Sequence, residues 1–329
     1  LRILPGKMLY AGLFLAACFI SMAIGTSVGT IVALVPVAAG IAQELAAAGA
    51  EGIAASVPFI TAIIVGGAFF GDNLSFISDT TIAATRTQGC SMADKFKMNI
   101  RIAGPAALIV AVLYIFMGKS GAAIPASAPI DWVLLIPYIL VIVLAVSGID
   151  VSVVLTIGLV VNAVIGFAGG GLTWSGYLES IGSGISGMGD LIIVTMMAGG
   201  MLELIKANGG LDYIVGKLTK KINGRRGAEF SIAALVSLAN ICTANNTIAI
   251  ITTGGIAKDI TKKFGIDPRR SASILDTFSC LIQGILPYGA QLLMASGLAG
   301  VTSISIMGYL YYPFALGAIA IIAILIKRS

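Results

Sequence analysis

Histidine is absent from this 329-residue chain, so any proton chemistry near neutral pH falls to carboxylates tuned by their surroundings. Charge is scarce: 11% of residues are Asp, Glu, Lys or Arg against 58% hydrophobic, and mean hydropathy is +1.02. That balance excludes a soluble globular domain and describes a polytopic membrane protein. Cysteine is limited to Cys18, Cys90, Cys242 and Cys280, which show neither C-x-x-C nor metal-ligand spacing. The small basic excess, 20 Lys and Arg against 15 acidic residues, is not a nucleic-acid footprint, because it is concentrated in short loops as the positive-inside rule requires. No signal peptide is visible, since the first apolar run continues into the segment that follows it.

Against this apolar background residues 66–81 read GGAFFGDNLSFISDTT and group Asp72, Asn73, Ser75, Ser78, Asp79 and Thr80. An intramembrane carboxylate costs roughly 2.5–3.5 kcal/mol on insertion scales. Two of them seven residues apart mark a functional site.

Ordinary spanning helices are expected at about 102–118, 132–147, 150–168, 188–205 and 303–325. Four other apolar stretches are interrupted by polar residues: 8–47 at Ile24–Thr30, 53–88 at GDNLSFISD, 227–262 at Cys242–Thr247 and 268–296 at Leu286–Gly289. Segments broken at corresponding places in two halves point to a transporter binding site. The halves share an order of hairpin, broken helix, polar loop and closing helix. Asp72, Ser75 and Asp79 are matched with Asp276, Ser279 and Gln283, an i, i+3, i+7 stripe in each half. The expected architecture is therefore all-α, with two inverted repeats, each holding a re-entrant helical hairpin and a discontinuous transmembrane helix. Repeat 1 is assigned to 1–118, scaffold helices to 119–205 and repeat 2 to 206–329.

With 8–47 and 227–262 taken as re-entrant hairpins, every basic residue except Arg2, Lys7 and Lys119 falls on one face. That face is cytoplasmic. About 31 apolar residues between Gly227 and Ala257 are too few for two spans and a turn, which places Asn245 and Asn246 at a hairpin tip. Leu1 is not an initiator methionine, and three helices precede the second hairpin where none precedes the first. The expectation is a chain truncated at its N-terminus by on the order of a hundred residues.

The run GGAFFGDNLSFISDTTIAA resembles the G-A-x-F-G-D-x-x-S-x-x-S-D-T-T pattern of NhaC-type sodium/proton antiporters, within the ion-transporter superfamily; TANNTIAI adds a weaker match. One departure is Phe76 after Ser75, where relatives often carry Pro. The resemblance implies ion coordination near the membrane midplane in a multi-pass protein of the bacterial cytoplasmic membrane, with sodium and protons as cargo and no cofactor. It also brings the possibility of a homodimer. Malate/lactate exchangers of the same family supply the alternative, an organic acid exchanger coupled to cations.

The residue types suit that chemistry. A small hard cation takes carboxylate, hydroxyl, amide and carbonyl oxygens, which unwound backbone at Gly71–Ser78, Ile24–Thr30 and Thr243–Asn246 would offer. Asp72 is expected to alternate between a cation and protons, since an apolar setting favours the neutral carboxyl. Asn73, Ser75, Ser78, Asp79 and Thr80 complete the first half-site with Thr26, Ser27 and Thr30. Thr243, Asn245, Asn246, Thr247, Asp276 and Ser279 form the second.

Structural readings stand beside these. Asp79 suits the N-cap of a half-helix running to Gln88, Gly71 a C-cap, and Asn245-Asn246 a plain turn. Asp276 is a candidate partner for Arg269 or Arg270. Asp190 and Glu203 sit near helix ends; Trp132, Trp174 and Tyr309–Tyr312 read as interfacial belt residues. An intramembrane aspartyl protease is disfavoured because Phe69 stands where its Gly-x-Gly-Asp motif needs the first glycine. A channel needs a continuous hydrated path, whereas broken helices fit alternating access. No basic residue lies within either break, which favours a cation over an organic anion; Arg86, about two turns away, is the residue that would reverse this.

Overall fold

The computed structural model describes residues 6–75, 78–118, 151–187, 189–210 and 224–326, with single positions between 133 and 149 and between 213 and 217. Phe76, Trp132, most of the span expected at 132–147, and the charges Arg2, Lys119, Lys327 and Arg328 lie outside the described residues. All regular structure among the described residues is helical.

The first helix, α1 (Leu9–Ile24), ends at Gly25, whose φ of 80° is the left-handed conformation that closes a helix cheaply only for glycine. Extended Thr26 follows, and α2 (Ser27–Ala47) begins. Then α3 (Val57–Leu74) starts on a Ser56 cap with proline in its first turn and stops at extended Ser75; α4 (Asp79–Gln88) closes on Gly89. Ser91 caps the long α5 (Met92–Met117) by accepting from the Asp94 N–H. The middle of the chain gives α6 (Val151–Ala168), α7 (Trp174–Gly187) and α8 (Gly189–Ala207). Next come α9 (Gly224–Thr243) and α10 (Asn246–Lys263), parted by Ala244 at φ 50° and extended Asn245. They are followed by α11 (Pro268–Ile285), α12 (Ala290–Ala299), α13 (Ser303–Met307) and α14 (Tyr311–Ile326).

Hydrogen bonds fix the directions. Tyr10 donates to the Ala54 carbonyl (3.1 Å) and Ser21 to that of Ala68 (2.7 Å), so α1 runs beside α3 in the same sense. The Ser27 N–H then donates to Asp72 (2.9 Å), and α2 runs back along α3. The chain thus reverses at Gly25–Thr26 into a helical hairpin whose tip lies level with the end of α3. The same order recurs later. Arg270 meets Glu229 (3.0 Å), Asn240 donates to the Ser279 carbonyl (2.7 Å) and Gln283 to that of Ala244 (2.9 Å), which aligns α9 with α11 and puts the second tip near the end of α11. Each half-helix packs on the other half's hairpin: Gln88 of α4 donates to the Gly254 carbonyl of α10 (2.9 Å), and Gln291 of α12 donates to Ser27 of α2 (3.2 Å).

Four stretches among the described residues are long and apolar enough to cross a membrane: Ser27–Ala47, Val57–Gln88, Met92–Met117 and Pro268–Ala299. Several boundaries depart from the hydropathy reading. The helix expected from 102 begins at Met92, because the Ser91 cap outweighs the polarity of the first turns. The span read as 303–325 is divided at Gly308–Leu310 into α13 and α14, and α7 is an additional helix. The unwinding expected from Gly71 starts at Ser75, so Gly71 is no C-cap. It lies inside α3, where an added Cβ would overlap Ser21. Tyr312 is not a belt residue; it is fully buried against Phe14 (6.1 Å) and Phe70 (6.0 Å).

The α1–α3 contact depends on glycine. A Cβ at Gly67 would stand 2.7 Å from the Phe14 carbonyl oxygen, a backbone atom that cannot rotate aside. Gly67→Ala should lower the thermal melting midpoint of the purified protein by the equivalent of about 1–3 kcal/mol. Gly104→Ala, which meets only the flexible end of Ile100 at 3.5 Å, should leave it unchanged or raised.

Candidate functional site

A helix that stops inside an apolar bundle exposes carbonyl groups that water would otherwise satisfy. At the end of α3 the chain supplies its own donors. Ser78 (2.9 Å) and Thr80 (3.1 Å) donate their hydroxyls to the Asp72 carbonyl, and Thr81 donates to that of Ser75 (2.9 Å). The Asn73 carbonyl accepts from two residues of α5, Lys95 Nζ (2.8 Å) and Asn99 Nδ2 (2.9 Å).

Lys95 is the centre of the arrangement, with its side chain 1% exposed. Its ammonium also donates to Thr81 Oγ1 (2.7 Å) and lies 2.8 Å from Asp276 Oδ2. Asn99 Nδ2 reaches the same Asp276 oxygen (2.7 Å). Asp276 is fully buried in α11. Asp72, 5% exposed, is held differently: its Oδ1 accepts from the Ser27 N–H at the N-terminus of α2, where the helix dipole favours negative charge. The two carboxylates lie within electrostatic reach of each other.

The expected site residues divide accordingly. Asp72, Asn73, Ser75, Ser78, Thr80 and Ser27 gather at the α3 break and the first tip, together with Asp276 from α11. Thr30 is buried one turn into α2, its hydroxyl on the Thr26 carbonyl (3.0 Å). At the second tip Thr243 and Asn245 bond to each other, Asn245 caps α10 through the Ile248 N–H, Asn246 accepts from the Thr247 N–H, and Ser279 donates to the Asp276 carbonyl.

Other expectations need correction. The α4 cap is Ser78, which accepts from the Thr81 N–H (3.2 Å); Asp79 is the first helical residue and is exposed. Asp276 pairs with Lys95, whereas Arg269 holds Asp267 (2.6 Å) and Arg270 holds Glu229 (3.0 Å). The i, i+3, i+7 stripe is intact for Asp276, Ser279 and Gln283 within α11, but the break after Leu74 removes Asp79 from the helix of Asp72. By position before the break, Asp72 corresponds to Gln283, three residues ahead of extended Ser75 and Leu286 respectively. Arg86 is exposed in the last turn of α4.

Sequence reasoning missed Lys95 and Asn99. Lys95 lies among Asp94, Lys97 and Arg101 in a stretch whose charge reads as a basic loop, although Ser91-x-x-Asp94 is a helix-start signal. Extending α5 back to that cap puts Lys95 and Asn99 on the same stripe as buried Ile102, Ala106, Val110 and Tyr114. Gln291, which joins Gln283 (2.8 Å) to Ser27, was also missed.

Interrupted helices meeting at buried carboxylates inside an apolar helical bundle are the features of a secondary membrane transporter. The family model described as the Na+/H+ antiporter family matches residues 2–119 and 125–327, and the chain belongs to that family. It is 26% identical over an alignment of 353 positions to the malate-2H(+)/Na(+)-lactate antiporter of Bacillus subtilis (strain 168), covering 96% of this chain and 74% of that protein. To the Na(+)/H(+) antiporter NhaC of the same organism it is 26% identical over an alignment of 368 positions, covering 98% and 76%. The NhaC antiporter of Alkalihalophilus pseudofirmus (strain ATCC BAA-2126 / JCM 17055 / OF4) is 22% identical over 290 residues, covering 76% of this chain and 61% of that protein. The chain is accordingly a multi-pass membrane protein of an antiporter family.

Because Ser78 both caps α4 and holds the Asp72 carbonyl, Ser78→Ala should destabilise the folded protein by about 1–2 kcal/mol. Asp79→Ala removes only a favourable first-turn charge, about 0.5 kcal/mol. Melting curves of the two variants, read side by side, check the assignment of the cap.

Proposed function

We propose that this protein exchanges sodium or lithium for protons across the cytoplasmic membrane by alternating access, with Asp72 as the exchange carboxylate. The observation that carries this reading is the charge balance at the break. Two buried carboxylates, Asp72 and Asp276, share the region of the break with one buried ammonium, Lys95, which lies against Asp276. Ionised, the group keeps one negative charge on Asp72, whose observed donor is the neutral Ser27 N–H. A buried charge requires a partner. One monovalent cation or one proton fulfils that requirement, and their competition for a single carboxylate produces antiport. Asn73, Ser75, Ser78 and Thr80 are assigned to the surroundings of that ion on the α3 side, and Ser27 with Gln291 to the hairpin side.

The fold supports the transport mechanism. A tip that ends beside Asp72, about 24 Å along the 18-residue α3, suits a re-entrant hairpin that covers the site from one side, with the α9–α10 hairpin covering it from the other. We assign 1–118 and 206–329 as inverted repeats and 119–205 as scaffold. Matching lengths favour this: α3 and α11 have 18 residues each, and α4 and α12 have 10 each. A homodimer enters the proposal through the family resemblance.

The organic-acid alternative gains one observation, since Lys95 is a cation at the site and the B. subtilis malate/lactate antiporter is a relative. The geometry weighs against it. An ammonium has three donors, and those of Lys95 face Asn73 O, Thr81 Oγ1 and Asp276 Oδ2. No donor is left to receive a substrate carboxylate. The deciding experiment is dissipation of a pH gradient in everted vesicles carrying the protein, with sodium, lithium, potassium, malate and lactate added in turn. Sodium or lithium should collapse the gradient, and Asp72→Asn should reduce that response to the level of vesicles lacking the protein. Silence with cations alone and a response to malate or lactate would replace this reading with the exchanger.

A further inference from the structure

The environment of the Lys95 ammonium has the composition of a cation site. Its neighbours are a carboxylate oxygen of Asp276 (2.8 Å), the carbonyl oxygen of Asn73 (2.8 Å) and the hydroxyl oxygen of Thr81 (2.7 Å). The carbonyl belongs to the last turn of α3, where the helix dipole is negative and favours a positive charge. More acceptors lie in the same group of residues. Asn73 Oδ1, Asn99 Oδ1 and Asp276 Oδ1 are buried and receive no hydrogen bond. The Thr80 hydroxyl, directed to the Asp72 carbonyl (3.1 Å), also lies at the Asp276 carboxylate. The group is therefore rich in unsatisfied oxygen and poor in donors, and its one positive charge is carried on a side chain.

Resting on the cation-exchange reading above, we infer that Lys95 is a tethered cation filling a latent second monovalent-cation site, and that it thereby sets the number of mobile ions carried per cycle. With Lys95 present, Asp276 is permanently balanced and only Asp72 takes cargo. Without it, Asp276, the Asn73 carbonyl and the Thr81 hydroxyl keep the neutral donors Asn99 and Ser78 but lose their positive partner, and an ion can take its place. The residue acts on stoichiometry and makes no contact with the transported ion at Asp72.

The test is equilibrium binding of radiolabelled sodium to the purified full chain in detergent, with thermal melting of every variant. The wild type should bind about one sodium per chain, Lys95→Ala about two, and Lys95→Ala with Asp276→Asn about one again, following the pairing of buried charge. Asp276→Asn alone should bind almost none, because the unpaired Lys95 ammonium brings the net charge of the group to zero. A folded Lys95→Ala protein that still binds one sodium overturns the inference, as does Asp276→Asn with wild-type binding. Should Lys95→Ala melt too low to assay, recovery of sodium binding in the double variant relative to Asp276→Asn supports the inference, and equal loss in both overturns it. A wild type that binds neither sodium nor lithium removes the exchange reading itself, and that arm is read before any variant.

Discussion

Three carbonyl groups at the end of α3 decide how this part of the molecule is assembled. Asp72, Asn73 and Ser75 lose their helical partners when the chain stops, in surroundings where no bulk water replaces them. Hydroxyls from Ser78, Thr80 and Thr81 close two of the three, which places the start of α4 directly over the end of α3. The third is closed by Lys95 and Asn99, which locks α5 against the break and, through Asp276, binds α11 to the same point. One requirement of backbone chemistry thus brings four helices together and leaves Asp72 at their junction.

The charges follow the same logic. A lone buried lysine would be costly, and so would a lone buried aspartate. Lys95 and Asp276 satisfy each other while Asn99 supplies a further donor to the carboxylate. Among the described residues Asp72 has no ion-pair partner, and it is 5% exposed against 0% for Asp276. The Glu229–Arg270 pair, also buried, ties α9 to α11 and reaches the Ala323 carbonyl of α14.

Much of this was legible in the sequence because polar residues in an apolar chain are conspicuous. The interruption at 24–30, the one at 242–247 and the LPYG break were all visible as breaks in hydropathy, and each marks a helix boundary. Hydropathy fails in the opposite case, where a polar stretch is helical and buried. Met92–Arg101 looked like a loop because Asp94, Lys95, Lys97 and Arg101 crowd it, although only Lys95 of these is buried. Register between the halves depends on what is matched: matching carboxylates pairs Asp72 with Asp276, whereas matching the breaks pairs Asp72 with Gln283. In the second half the position before the break carries an amide, Gln283, and the carboxylate lies two turns earlier in α11.

The cross-packing of half-helices on hairpins has a mechanical meaning. Gln88 grips α10 at Gly254, with Thr87 pressed against the same glycine, while Gln291 grips α2 at Ser27. A hairpin that swung open alone would strip the opposite half-helix of its anchor and leave a glutamine amide unpaired in hydrocarbon. The two hairpins and two broken helices therefore form an interlock, in which a small local displacement is resisted from both ends. On the exchange reading proposed above, motion that exposes the carboxylate at Asp72 is least costly when the whole quartet travels as a solid block, with sliding confined to its outer walls.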